Sequence, residues 1–307
     1  MATERTAITT GPTSLATTTA SSALWPVLAL TFNALTWGVS WWPLRQLQGQ
    51  GLHPLWATVL IYAVAVVVIT AWRPRAWRQL FSTPVLWVLV LAAGTTNAAF
   101  NWAVSVGDVV RVVLLFYVMP LWAVVLARLL LDEAITRAAL LRVSLALAGA
   151  AVVLWPEGGA GWPLPQSLAD WLGVVGGLSF ALNNVMLRRE AHRPAEGRAL
   201  AMFLGGALVA GVLALSLAGP TVPWPPAPAL GWLAGTLALA IAFLAGNLAL
   251  QYGAGRLPAN VTAVVMITEV LFAATSAVLL GAGSLSTRLL IGGALIVSAS
   301  VLATRGN

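Results

Sequence analysis

Apolar runs of about 20 residues, punctuated by short clusters of Arg, Pro and Gly, recur along this chain. A helix needs about 20 largely apolar residues to cross the hydrocarbon core of a bilayer. The pattern predicts ten such helices. In the first half they run over Leu24–Leu44, Leu55–Trp72, Val85–Val104, Val109–Leu130 and Leu140–Trp155. In the second half they run over Leu168–Leu187, Ala199–Ala218, Ala229–Tyr252, Pro258–Leu280 and Thr287–Ala303. Residues 1–23, rich in Thr, Ser and Ala, lack the basic start and apolar core of a signal peptide and read as a disordered tail. The proline-rich connections Pro156–Pro165 and Pro220–Pro228 are too short to be domains.

The polar positions inside these runs repeat. Asn97, Asn101 and Trp102 match Asn247, Gln251 and Tyr252 at an offset of 150. Trp37, Ser40, Leu44 and Arg45 match Phe180, Asn183, Leu187 and Arg188 at an offset of 143. The chain therefore reads as an all-α membrane protein with two five-helix repeats, 24–155 and 168–304. Five is odd, so the second repeat is inverted relative to the first. Inverted repeats are a mark of secondary transporters, whose substrate lies near the midplane between the copies.

Composition agrees. The chain is 60% hydrophobic and 8% charged, with a mean hydropathy of +0.90. The formal charge of +7 does not indicate nucleic acid, because the arginines are scattered through short loops. With both termini cytoplasmic, thirteen of the sixteen arginines fall on the cytoplasmic side, leaving Arg45, Arg111 and Arg288 opposite. There is no cysteine, and His53 and His192 lack partners at ligand spacing, so neither a metal nor a cofactor is expected. No phosphate loop, nucleophile elbow or HExxH motif points to an enzyme.

Candidate chemistry sits within the spans. Glu269, amid Val265-Met-Ile-Thr-Glu-Val-Leu271, is a carboxylate at membrane depth. It must be protonated, paired or wet. It reads either as a site for a substrate ammonium or a proton, or as a structural hydrogen bond. Asp108 and Arg111, three apart at a helix start, read as a local ion pair. The amides Asn97, Asn101, Asn183, Asn184, Asn247 and Gln251 can hold either end of a zwitterion without a buried charge, or can bond between helices. Trp37, Trp41, Phe100, Trp102, Phe116, Tyr117, Phe180, Phe243 and Tyr252 lie deep or on polar helices and suit a flat apolar or cationic ligand. Most other Trp residues lie at span ends. Pro120 predicts a kink.

Several short motifs resemble the drug/metabolite transporter superfamily in its EamA-type branch. They are Trp37-Gly38, Phe116-Tyr117-x-x-Pro120 followed by Glu133, and Gly292-Gly293-Ala-Leu-Ile296. Gly51-Leu52-x-Pro54, Ile61-Tyr62 and Arg75-x-x-Arg78-Gln79 resemble the bacterial aromatic amino acid exporters of that branch. The resemblance implies ten helices around a central cavity in the bacterial inner membrane. It implies export of amino acids, aromatic and other neutral ones, and related metabolites by alternating access. Tyr117 and Phe180 would then face the cavity. The second repeat departs from the family pattern in carrying Glu269 where proline is usual. That departure keeps open an exporter of cationic drugs or other small metabolites, coupled to protons through Glu269. An intramembrane enzyme and a channel are the remaining readings, and no metal-binding carboxylates or charged rings favour either.

Overall fold

The computed structural model describes residues 18–155, 162, 164–254, 256 and 259–305. Residues 1–17 of the expected tail lie outside that set, whereas 18–23 already form helix. The helices are α1 (Thr18–Val39), α2 (Trp41–Gly49), α3 (Pro54–Trp72), α4 (Arg75–Phe81), α5 (Leu86–Val106), α6 (Val109–Phe116), α7 (Met119–Leu131) and α8 (Arg137–Leu154). They continue as α9 (Leu168–Arg189), α10 (Ala195–Ser216), α11 (Leu230–Ala254), α12 (Ala259–Leu279) and α13 (Thr287–Arg305). Helix is the one element that satisfies its own backbone in lipid, and the apolar runs supply little else for those groups to bond.

Two of the expected spans are broken, each at a proline. Pro43 has no N–H to give to the carbonyl of Val39, and the first run divides into α1 and α2 at Ser40. Pro120 likewise leaves the carbonyl of Phe116 without its helical donor, and α6 gives way to α7 across Tyr117–Val118. A third departure concerns Arg75–Phe81, which the sequence leaves in a loop. It forms α4, bent by 104° from α5.

Among the described residues, α3, α6–α7, α8, α10 and α11 are long and apolar enough to cross a membrane. Counting α4 with α5 as one bent span makes six. The polar content of α5 and α9 has a physical cause: Thr96, Asn97 and Asn183 line the central cavity described below.

Close helix pairs are α1 with α11 and α12, α5 with α9 and α10, α3 with α10 and α11, α9 with α6 and α7, α6 with α12, and α8 with α13. Glycine sets two of these crossings. A Cβ on Gly149 of α8 would stand 2.7 Å from the Gly292 carbonyl of α13, and one on Gly292 would stand 2.8 Å from the Gly149 carbonyl. Gly94 of α5 and Gly205 of α10 meet in the same backbone-to-backbone manner. Apolar side chains give little drive for association in lipid, so such close approach supplies it instead.

Candidate functional site

The helices line a partly open cavity of about 110 Å³ with residues from both halves of the chain on its walls. Two of the repeated sequence pairs meet there. Trp37 of α1 and Phe180 of α9 are on the lining, as are Asn97 of α5 and Asn247 of α11. Asn183 and Glu269 are on it too.

Aromatic rings form a connected arc around the cavity. Phe203 packs on Tyr62 (5.8 Å between centroids), and Tyr62 meets Phe243 edge-on at 6.2 Å. Trp37 stacks on Phe243 at 4.5 Å with 21° between planes and meets Phe100 edge-on at 6.4 Å. Phe100 contacts Phe116 at 5.0 Å, and Phe116 contacts Phe180 at 5.3 Å. The stacked and edge-on contacts among them are geometries that ring quadrupoles favour, and the Tyr62–Phe203 and Phe116–Phe180 pairs are tilted between the two. These contacts pack seven side chains against one another, all of them on the lining.

Polar groups interrupt the arc. The Tyr62 hydroxyl donates to Asn97 Oδ1 at 2.5 Å, and Asn97 Nδ2 donates to the Ala93 carbonyl at 2.8 Å. Gln251 Nε2 donates to Asn247 Oδ1 at 2.7 Å. Asn33 donates to the Met266 sulfur at 3.5 Å. The buried carbonyl oxygens of Asn33 and Asn183 have no protein donor among the described residues. Glu269, buried, accepts from the Tyr117 hydroxyl at 3.1 Å, and that hydroxyl also reaches the Met266 carbonyl at 3.4 Å. Glu269 is the one acidic side chain on the described lining, which includes no arginine or histidine. The walls therefore offer acceptors and a carboxylate set among aromatic faces. That chemistry suits a flat apolar body carrying a donor or a positive charge.

Other sequence candidates lie off the lining. Tyr117 stands behind Glu269 at the α6–α7 break. Asn101 is fully buried between α5 and α3, where it donates to Thr58 at 3.1 Å. It forms a second rung beside Tyr62–Asn97, because Thr58 and Tyr62 share a face of α3 as Asn97 and Asn101 share one of α5. Trp41 donates to Ser276 at 2.9 Å, fastening α2 to α12. Trp102 packs edge-on against His53 at 5.3 Å. Asn184 is exposed, since it points about 100° away from Asn183 around α9. Gln251 and Tyr252 are exposed, and the Arg256 guanidinium lies 3.9 Å from the Tyr252 ring centre.

The lining also includes Phe243, one of the deep aromatics, and Asn33, Tyr62 and Phe203, which the sequence does not single out as site residues. Asn33 lies one turn before Trp37 on the same face, and that spacing was the available signal.

The Asp108–Arg111 pair is corrected. Asp108 caps α6 by accepting from the Arg111 backbone N–H at 2.8 Å. The Arg111 guanidinium instead forms a two-pronged pair with buried Asp170 of α9 at 2.7 and 2.9 Å, and donates to the Val153 carbonyl at 2.8 Å. Asp170 also completes a capping box with Ser167, so the carboxylate serves α9 and α6 together.

Comparison with known proteins agrees with this architecture. Residues 16–155 match the EamA-like transporter family. An uncharacterized transporter of Pseudomonas aeruginosa is 33% identical over 132 residues, covering 36% of this chain and 44% of the relative. The chain thus matches less than half the length of that curated relative. A crystal structure with 19% sequence identity superposes with a TM-score of 0.55, over 93% of this chain and 97% of the other, and shows likeness of fold alone.

Proposed function

We propose that this chain, whose first half is an EamA-like transporter unit of the drug/metabolite transporter superfamily, is a secondary exporter of small amphipathic metabolites. Aromatic and other neutral amino acids are the leading substrates, moved by alternating access across the bacterial inner membrane. The carrying observation is the cavity shared by both halves, with its arc of rings and its amides.

The helix pairing supports two repeats, 24–155 and 168–304, of five spans each. Exchange α1 for α9, α3 for α10, α5 for α11, α6–α7 for α12 and α8 for α13. The α1–α12 contact then becomes α9 with α6–α7, α1–α11 becomes α9–α5, and α3–α11 becomes α10–α5. The pairs α3–α10, α6–α12 and α8–α13 map onto themselves. Such a set of contacts is expected of a pseudo-two-fold axis in the membrane plane, with substrate at the crossing. In this reading α1–α2, α5, α9, α12 and α13 complete ten spans, with both termini cytoplasmic.

A second reading is favoured by Glu269. Among the described residues no cationic side chain lines the cavity with it, so the cavity suits an amine or an aromatic cation better than a free carboxylate, and protons would compete for the same group. The test is transport by purified protein in liposomes of labelled tryptophan, phenylalanine, threonine and a planar aromatic cation, with and without a pH gradient. Saturable, mutually competed movement of the amino acids supports the first reading. Movement of the cation alone, lost in Glu269→Gln, supports the second. Movement of none of them refutes both.

A further inference from the structure

The corner where α3 turns into α4 and α5 carries features that the central cavity does not use. Helix α4 is two-sided. Ala76 and Leu80 are fully buried, in a cluster with Leu86, Leu89, Met186 and Leu200. Arg75 and Arg78 face outward, and Arg73 stands at the turn before them. Trp72 is 74% exposed and Phe81 64%. Trp77 and Phe81 stack at 6.0 Å, Phe81 meets Trp87 at 5.9 Å, and the Trp77 indole donates to Thr70 at 2.9 Å. A short helix bent by 104° from α5, with exposed rings beside arginines, fits the layer where acyl chains meet headgroups.

The charges at this corner differ from those of the neighbouring α9–α10 turn. There Arg188 pairs with Glu133, and Arg189 and Arg193 pair with Glu190. Among the described residues, Arg73, Arg75 and Arg78 form no ion pair with a carboxylate. Arg73 and Arg75 open instead onto a cleft of about 590 Å³ between this corner and the start of α10. Gln79 and Glu196 are also on its lining. The Gln79 side-chain oxygen is buried without a donor. The cleft thus joins two guanidinium groups, which suit a phosphate, to a carboxylate and an amide oxygen, which repel phosphate but accept from hydroxyls.

We propose that this cleft is a binding site for an anionic phospholipid with a hydroxylated headgroup, of the phosphatidylglycerol type. Arg73 and Arg75 hold the phosphate, Glu196 and Gln79 accept from the glycerol hydroxyls, and the exposed rings lie against the acyl chains. Basic groups at a membrane surface each favour an anionic lipid by roughly fivefold, so the Arg73→Gln/Arg75→Gln double variant should bind about 25-fold more weakly.

The test is native mass spectrometry of the full chain in detergent, titrated with short-chain phosphatidylglycerol, phosphatidate, phosphatidylcholine or glycerol 1-phosphate. Thermal unfolding of each variant reports its folding. The expected order is phosphatidylglycerol above phosphatidate, with phosphatidylcholine and the acyl-free ester weak. Arg73→Gln/Arg75→Gln removes the preference for anionic lipid, Glu196→Gln narrows the gap between phosphatidylglycerol and phosphatidate, and Arg137→Gln, an exposed arginine at the start of α8, changes neither. Equal loss in Arg137→Gln, or unchanged binding in the double variant, would show a diffuse surface field and overturn the site. A phosphatidate preference that Glu196→Gln leaves unaltered would overturn the headgroup assignment. Because the readout is lipid binding, it stands whatever the transported solute is.

Discussion

Asp170→Asn tests the fold most directly, because it separates the local pairing suggested by sequence from the long-range pairing in the structure. The Asp170 side chain is 4% exposed and receives two guanidinium bonds from Arg111, 59 residues away. It also accepts from the backbone N–H of Gln166 at 3.0 Å. Removing one partner of a buried ion pair costs about 3–5 kcal/mol. Asn keeps one acceptor oxygen, and the Arg111 side chain is 28% exposed, so water recovers part of the loss. The expected destabilisation is therefore at the lower end, about 3 kcal/mol. Asp108→Asn keeps an acceptor for the α6 cap and weakens a long 3.4 Å bond from the Ser284 N–H, together worth about 1 kcal/mol or less. The assay is the midpoint of thermal unfolding in detergent, followed by the fraction remaining monodisperse. Asp170→Asn should lower it several-fold more than Asp108→Asn, and Arg111→Gln/Asp170→Asn should be less damaging than the two single effects summed. A midpoint for Asp170→Asn equal to or above that of Asp108→Asn would refute the argument.

Three further outcomes are expected. Gly149→Val should destabilise the chain by about 1–3 kcal/mol through overpacking against the Gly292 carbonyl, seen as a lower unfolding midpoint, whereas Gly49→Val, with open space around its missing Cβ, should show no clash effect. Trp37→Ala should reduce transport in liposomes at least tenfold with normal yield of folded protein, and Trp25→Ala, 68% exposed, should leave transport unchanged. His53 accepts the Leu55 N–H and is held below its ordinary pKa by burial. The unfolded chain therefore takes up a proton more readily, so this contribution is complete above about pH 6.5 and fades as pH falls. The unfolding midpoint should drop between pH 7.5 and 5 by less in His53→Ser than in the wild type.

Much of the architecture was legible because lipid imposes simple rules on a sequence. Apolar runs of spanning length marked the helices, and Pro120 marked the α6–α7 break. The offsets of 143 and 150 pointed to Trp37 with Phe180 and Asn97 with Asn247, and all four are on one lining. Pairings between distant segments were not legible. Arg111 has Asp108 three residues away and Asp170 fifty-nine away, and sequence spacing favours the near partner. Asn101 and Asn97 look alike in sequence and share a face of α5, yet Asn97 reaches the cavity lining while Asn101, one turn further along, is closed in against Thr58. Helix α4 was missed because its seven residues are too few to show a period.

The backbone contacts at Gly94–Gly205 and Gly149–Gly292 bear on how a mutational library of this chain would be read. These four positions hold no chemical group, lie off the linings of both cavities described above, and would be passed over in a search for functional side chains. Yet every substitution there adds a Cβ where a carbonyl already stands. In a saturation screen scored by the proposed transport, their tolerance profiles should be as narrow as those of Trp37 or Glu269. Intolerance alone would therefore not identify the residues that meet the solute. Separating the two groups requires the amount of folded protein measured beside the transport.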